Sequence, residues 1–83
     1  MDVEALKAEA GKAACEYVAE GMNVGLGTGS TVKYTILELG RRVRDEGLNI
    51  VGVPTSIATR DLALDVGIPL ADLDDLDGLD VVI

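Results

Sequence analysis

Histidine, tryptophan and phenylalanine are absent from this sequence, and cysteine occurs once, at Cys15. Without histidine, imidazole acid–base catalysis and His-ligated metal sites are excluded from the chain. One cysteine excludes an intrachain disulfide and most structural zinc patterns. Two tyrosines are the only aromatic residues, which leaves little surface for stacking nucleic-acid bases. No apolar run approaches the ~18 residues of a membrane span, so no membrane partner is expected. No charged-then-apolar leader opens the chain either, and a soluble, cytoplasmic protein is the expectation. Positive charge is scarce as well. Seven Lys and Arg face fifteen Asp and Glu, for a net charge of −8. That balance repels nucleic-acid phosphates, so no nucleic-acid partner is expected. It also means that any phosphate site must be local and built from backbone N–H groups.

What is present is a core-forming composition, 48% apolar and rich in Val, Leu, Ile and Ala. Residues 1–83 read as one domain or part of one. From Val3 to Val18, Leu6, Ala10, Ala13, Ala14, Tyr17 and Val18 recur at helical spacing, with Asp2 as N-cap and Gly21 as terminator. Cys15 lies beside that stripe and reads as a buried packing residue. Asn23–Leu26 is a short apolar strand. Thr31–Glu46 places Val32, Ile36, Leu39 and Val43 on one helical face. Arg41, Arg42 and Arg44 in its last turn suit the negative end of the helix dipole, and Gly47 suits the position that ends it. Asn49–Val53 is a second strand closed by Pro54. A helix capped by Ser56 or Thr55 runs to Val66, with Ala58, Leu62 and Val66 inward and Gly67 at its end. Ile68–Leu70 reads as a third strand and Leu79–Ile83 as a fourth. Between them Asp72, Asp74, Asp75 and Asp77 form a solvated turn that lacks calcium-loop spacing. No metal site is expected.

Strands and helices alternating at this spacing predict βαβ units and a parallel sheet: an α/β fold, Rossmann-like, in three layers. The apolar run Val81, Val82, Ile83 closes the sequence, and a strand of that kind is expected to be covered by further chain. The sequence is therefore read as a fragment of a longer protein.

The residues with chemical promise lie between the first strand and the next helix: Gly27, Thr28, Gly29, Ser30 and Thr31. A helix N-terminus leaves about four N–H groups unpaired and carries roughly half a positive charge, which suits an anion. Glycines let the backbone approach a ligand, and Thr28, Ser30 and Thr31 add hydroxyls. The same residues also serve ordinary turns and caps. The loop lacks the Lys of a P-loop, and Ser30 stands where a dinucleotide fingerprint needs its last glycine. No acidic residue closes the second strand at Val53, so a nicotinamide cofactor is not expected, nor is any other. Thr55 and Ser56, after the second strand, lie at the same sheet edge and would line one crevice with the first loop.

The stretch from Val24 to Thr31, preceded by a helix carrying Lys7, Tyr17 and Val18, resembles the start of the ribose-5-phosphate isomerase A family. The resemblance extends through Val53, Pro54, Thr55 and Ser56, Gly67 and Ile68, and the Asp72–Leu73 turn. It implies a metal-free aldose–ketose isomerase of the pentose phosphate pathway, interconverting ribose 5-phosphate and ribulose 5-phosphate through an enediolate. It also implies that Thr28, Gly29, Ser30 and Thr31 contact the sugar phosphate, with Lys7, Thr55 and Ser56 as further candidates. The full-length protein is expected to be a homo-oligomer. The family's Asp-Gly-Ala-Asp segment, its Lys-Gly-Gly loop and its catalytic Glu are expected after Ile83. No catalytic residue is therefore expected in this chain, and the 83-residue chain alone is expected to be inactive. A second reading is the sugar-phosphate-sensing domain of a DeoR-type regulator, which resembles the same fold with different loop residues.

Overall fold

The computed structural model describes residues 2–83. Helix α1 (Val3–Ala14) begins at Asp2, whose carboxylate accepts the Glu4 N–H at 3.0 Å, and ends in a 3₁₀ turn at Cys15–Tyr17. Strand β1 (Asn23–Leu26) leads through the glycine loop into α2 (Ser30–Glu46). Strand β2 (Val51–Pro54) leads into α3 (Ile57–Val66), which Ser56 caps by accepting the Thr59 N–H. Gly47 and Gly67 end α2 and α3 in the left-handed conformation, as their positions predict. A 3₁₀ turn at Leu73–Asp75 precedes β3 (Val81–Val82).

Among the described residues, three strands pair in parallel in the order β2-β1-β3. The expected strand at Ile68–Leu70 is reduced to one bridge, Leu70 to Gly52, on the outer edge of β2. Pro69 explains part of the reduction, because it has no N–H to extend a ladder. The chain thus moves from β1 outward to β2 and Leu70, then returns to β3 on the other side of β1. In open parallel sheets such a reversal opens a crevice beyond the carboxyl ends of the strands. Here that end of β1 leads into Gly27.

Register assigns the two sheet faces. Val24, Leu26, Gly52 and Val81 share one face, which packs on the helices. The core there comprises Cys15, Val18, Val24, Leu26, Ile36, Leu39, Ile50, Ala63 and Ile68. Gly25, Val53 and Val82 lie on the opposite face, where Val82 is exposed. The α/β class and parallel sheet match the sequence reading, and the described residues form one helix layer and the sheet.

Two helix faces differ from those expected. Leu6 and Tyr17 are exposed, as are Ala10 and Ala13, and Gly11 turns inward in their place; Val18 and Cys15 are buried as expected, and Ala14 is half-buried. A Cβ at Gly11 would clash with Tyr34 Cβ, the Thr31 carbonyl and the Thr35 amide. Close approach of the α1 and α2 backbones therefore outweighs the larger apolar stripe. On α3 Ala58 is exposed, and Thr59 and Ala63 are buried with Leu62 and Val66 beside them. Thr59 can be buried because its hydroxyl finds partners there. Helix α2 buries Ile36 and Leu39, with Val32 and Val43 packed against the same core, as expected. No described helix is long and apolar enough to cross a membrane.

Candidate functional site

The crevice at the end of β1 is a cleft of about 160 Å³ lined by Gly27, Thr28 and Gly29 from the loop, Val32, Lys33 and Ile36 from α2, and Ala58, Thr59 and Leu62 from α3. That is several times the ~30 Å³ share of one water molecule. Val32, Ile36 and Leu62 supply apolar lining, and Thr28, Lys33 and Thr59 are the polar residues among those that line it.

Loop geometry follows from two glycines. Gly29 has φ 121° and ψ 166°, a region essentially restricted to glycine, and it serves as the N-cap of α2. Gly27 passes so close to β3 that a Cβ would collide with the Ile83 carbonyl, and its N–H donates to that carbonyl at 3.0 Å. The chain then turns directly into α2. Asp2 and Ser56 cap α1 and α3 with side-chain bonds, whereas no side chain caps α2. The N–H groups of its first turn remain available for an anion, reinforced by the helix dipole.

Thr28, Gly29, Ser30 and Thr31 are all exposed at this turn. Thr28 and Gly29 line the cleft, whereas Ser30 and Thr31, the first two residues of α2, are not among its lining residues. Thr55 and Ser56 lie on the adjacent turn, but their hydroxyls are engaged elsewhere. The Thr55 hydroxyl and N–H both donate to the Leu26 carbonyl, at 2.9 and 3.1 Å. Ser56 donates to the Thr59 hydroxyl at 2.9 Å. Lys7 is half-buried on α1, with Nζ 3.7 Å from Glu4, and does not line the cleft. Glu4 in turn accepts a hydrogen bond from the Tyr34 hydroxyl, which holds its carboxyl below the usual range.

Two cleft residues escape sequence reasoning. Lys33, one turn into α2, is the basic residue among those lining the cleft, and it makes no ion pair among the described residues. Its spacing from Ser30 is the available signal, since positions three apart share a helix face. Thr59 is the other. Its position three residues after the Ser56 cap gives it the same side of α3.

Electrostatics favour an anion at this place despite the acidic chain. Among the described residues, no Asp or Glu lines the cleft. Asp80 sits at the opposite end of β1, where its carboxylate accepts the Asn23 N–H at 2.7 Å. Asp72, Asp74, Asp75 and Asp77 are exposed in their turn, and no cluster able to hold a metal ion occurs among the described residues. Arg41 and Arg42 pair with Glu38, and Arg44 donates to the Val66 carbonyl, so none of the three reaches the cleft. The arrangement can hold an anion and orient hydroxyls. It contains no carboxylate positioned to move a proton.

No family model matches the sequence. Individual relatives do. The chain is 52% identical over 81 residues to ribose-5-phosphate isomerase A of Streptococcus pyogenes serotype M5 (strain Manfredo), a match that covers 98% of this chain and 36% of that protein. Ribose-5-phosphate isomerase A of Streptococcus equi subsp. zooepidemicus (strain MGCS10565) is 51% identical over the same proportions. Among solved structures, ribose 5-phosphate isomerase A from Methanocaldococcus jannaschii superposes with a TM-score of 0.92 at 44% identity, over 98% of this chain and 36% of the other. A D-ribose-5-phosphate isomerase in complex with phospho-erythronic acid gives 0.95 at 43% identity, over 99% and 36%. The chain spans about a third of the length of the relatives it matches.

Proposed function

With both sequence and fold matching part of ribose-5-phosphate isomerase A, we propose that this chain is the sugar-phosphate-holding segment of such an isomerase, acting on ribose 5-phosphate and ribulose 5-phosphate. The observation that carries the reading is the uncapped first turn of α2, set behind Gly29 at the end of β1 in a cleft free of carboxylates. In this reading the N–H groups of that turn bind the anionic end of the substrate, and Thr28, Ser30 and Thr31 supply hydroxyl donors. Lys33 adds a local positive charge. The Gly27–Thr31 turn is built to position substrate rather than to react with it.

Interconversion of an aldose and a ketose needs a base to remove a proton beside the carbonyl, and donors to stabilise the enediolate. The cleft offers donors but no Asp or Glu. The chain alone is therefore proposed to bind without turning over, and the base to come from residues outside it. The regulator reading has no support, since the relatives found are isomerases.

Titration of ribose 5-phosphate into the isotope-labelled chain, followed by amide resonances, tests the reading. Shifts concentrated at Gly27 to Thr31 and Lys33 are expected. A folded chain whose loop amides ignore the ligand would overturn it.

A further inference from the structure

The carbonyls of Leu26 and Gly27 are held from the turn that follows β2 and from α3. Thr59 is buried, 5% exposed, and its hydroxyl donates to the Gly27 carbonyl at 3.0 Å. That hydroxyl oxygen of Thr59 in turn accepts from the Ser56 hydroxyl at 2.9 Å, while Ser56 Oγ accepts the Thr59 N–H at 3.2 Å. A threonine within a helix can turn its hydroxyl back to a carbonyl of the preceding turn, whereas Thr59, in the first turn of α3, reaches across to the glycine loop. One residue before Gly27, the Leu26 carbonyl is occupied twice by Thr55.

The Gly27–Thr28 peptide is trans and planar, so its C=O and N–H point in opposite directions. Fixing the Gly27 carbonyl toward Thr59 therefore fixes the Thr28 N–H away from it. A carbonyl that accepts a hydrogen bond also polarises its own peptide, which strengthens the N–H as a donor. The Ser56–Thr59–Gly27 chain thus acts on the amide of Thr28, which lines the cleft one residue before the Gly29 cap of α2.

We propose that Thr59 is a positioning residue of the anion cradle. Its buried hydroxyl, oriented by Ser56, sets the direction and donor strength of the Thr28 N–H. The inference rests on the sugar-phosphate reading for its ligand, though not for its geometry. The two loops then have different roles. The first loop touches the anion, and the second aims the first.

The test compares the wild-type chain with Thr59→Val, which keeps the shape and removes the hydroxyl, and Thr59→Ser, which restores it. Three quantities are read: urea stability, the Thr28 amide resonance and its hydrogen exchange without ligand, and the dissociation constant for ribose 5-phosphate. Thr59→Val is expected to move the Thr28 amide, speed its exchange and weaken binding ~10-fold, about 1.4 kcal/mol. Thr59→Ser is expected to recover the resonance and most of the affinity. A Val variant with wild-type Thr28 behaviour would overturn the proposal, and so would a Ser variant as impaired as Val. If Thr59→Val does not fold, Thr59→Cys, a weaker donor of similar size, carries the same expectation and the same failure. Absence of binding by the wild-type chain would sink the sugar-phosphate reading alone, because the ligand-free Thr28 amide still reports on the relay.

Discussion

The Thr35 hydroxyl on α2 donates to the Gly11 carbonyl on α1 at 2.8 Å, with both residues buried. The contact fixes α1 against the half of α2 that also carries Thr31, whose carbonyl lies over Gly11. Thr35→Val leaves the Gly11 carbonyl with only the weak Cys15 thiol as side-chain partner, at 3.6 Å. A loss of about 1–3 kcal/mol is expected, the cost of a buried polar group deprived of its bond. Gly11→Ala drives a methyl into the Thr35 amide and should cost about 1–3 kcal/mol by overpacking. Because the two substitutions act on one contact, the double variant should lose less than their sum. Urea unfolding of the four proteins measures this, and strict additivity would refute the coupling.

That contact also shows where sequence reasoning stops. The apolar stripe of Leu6, Ala10, Ala13, Ala14, Tyr17 and Val18 has the right helical period, yet only Val18 is buried and Ala14 half-buried, and the other four face outward. Periodicity identifies a helix and says less about which face meets a neighbour. Gly11 decides the face, a residue with no side chain to register in a hydrophobic pattern. The shift on α3 from Ala58 to Thr59 has a similar origin, since a polar residue is buried there by hydrogen bonds that pattern reading does not see. Features set by local chemistry were legible. Asp2 and Ser56 cap their helices, Gly47 and Gly67 end theirs, and the Gly27–Thr31 turn lies at the sheet's carboxyl end. Lys33 and Thr59 reach the cleft through the packing of α2 against α3, which no single segment encodes.

Gly29 is expected to be the least replaceable residue of the loop. At φ 121° a Cβ is strained, although nothing lies within 4 Å to obstruct it. Gly29→Ala should therefore cost about 1–3 kcal/mol through backbone conformation alone. The first turn of α2 should reorganise with it and weaken ribose 5-phosphate binding. Unfolding and titration of the variant check both effects, and an Ala variant as stable as wild type would show that the loop does not require this conformation.

Cys15 is fully buried and donates weakly to the carbonyls of Gly11 and Thr35. Burial pushes its thiol up from the ordinary value, so little thiolate forms near neutral pH. The native chain should react with a thiol reagent only as fast as it opens, and rapidly once unfolded in urea. Labelling under native conditions at the rate of a free thiol peptide would contradict the buried placement.

Glu38 predicts a pH dependence. Its carboxylate takes two bonds from Arg41, at 2.7 and 3.1 Å, and one from Arg42 at 3.3 Å. These bonds favour the charged form and bring the carboxyl from 4.5 down to about 2, against the opposing effect of burial. A lowered folded value means that the folded state binds its proton less readily than the unfolded chain. The stabilisation is thus fully present above the ordinary value of 4.5 and is lost as pH falls through about 2. Glu38→Gln should melt lower than wild type at neutral pH, and the two should converge as the medium is acidified through that window. Added salt should narrow the neutral-pH difference only partly, because the glutamate side chain is just 13% exposed and is screened less than a surface pair. Melting curves for both proteins across the acid range decide the matter. A gap that stays constant down to the acid limit would mean that shape, and not the ionised carboxylate, accounts for the contribution of Glu38.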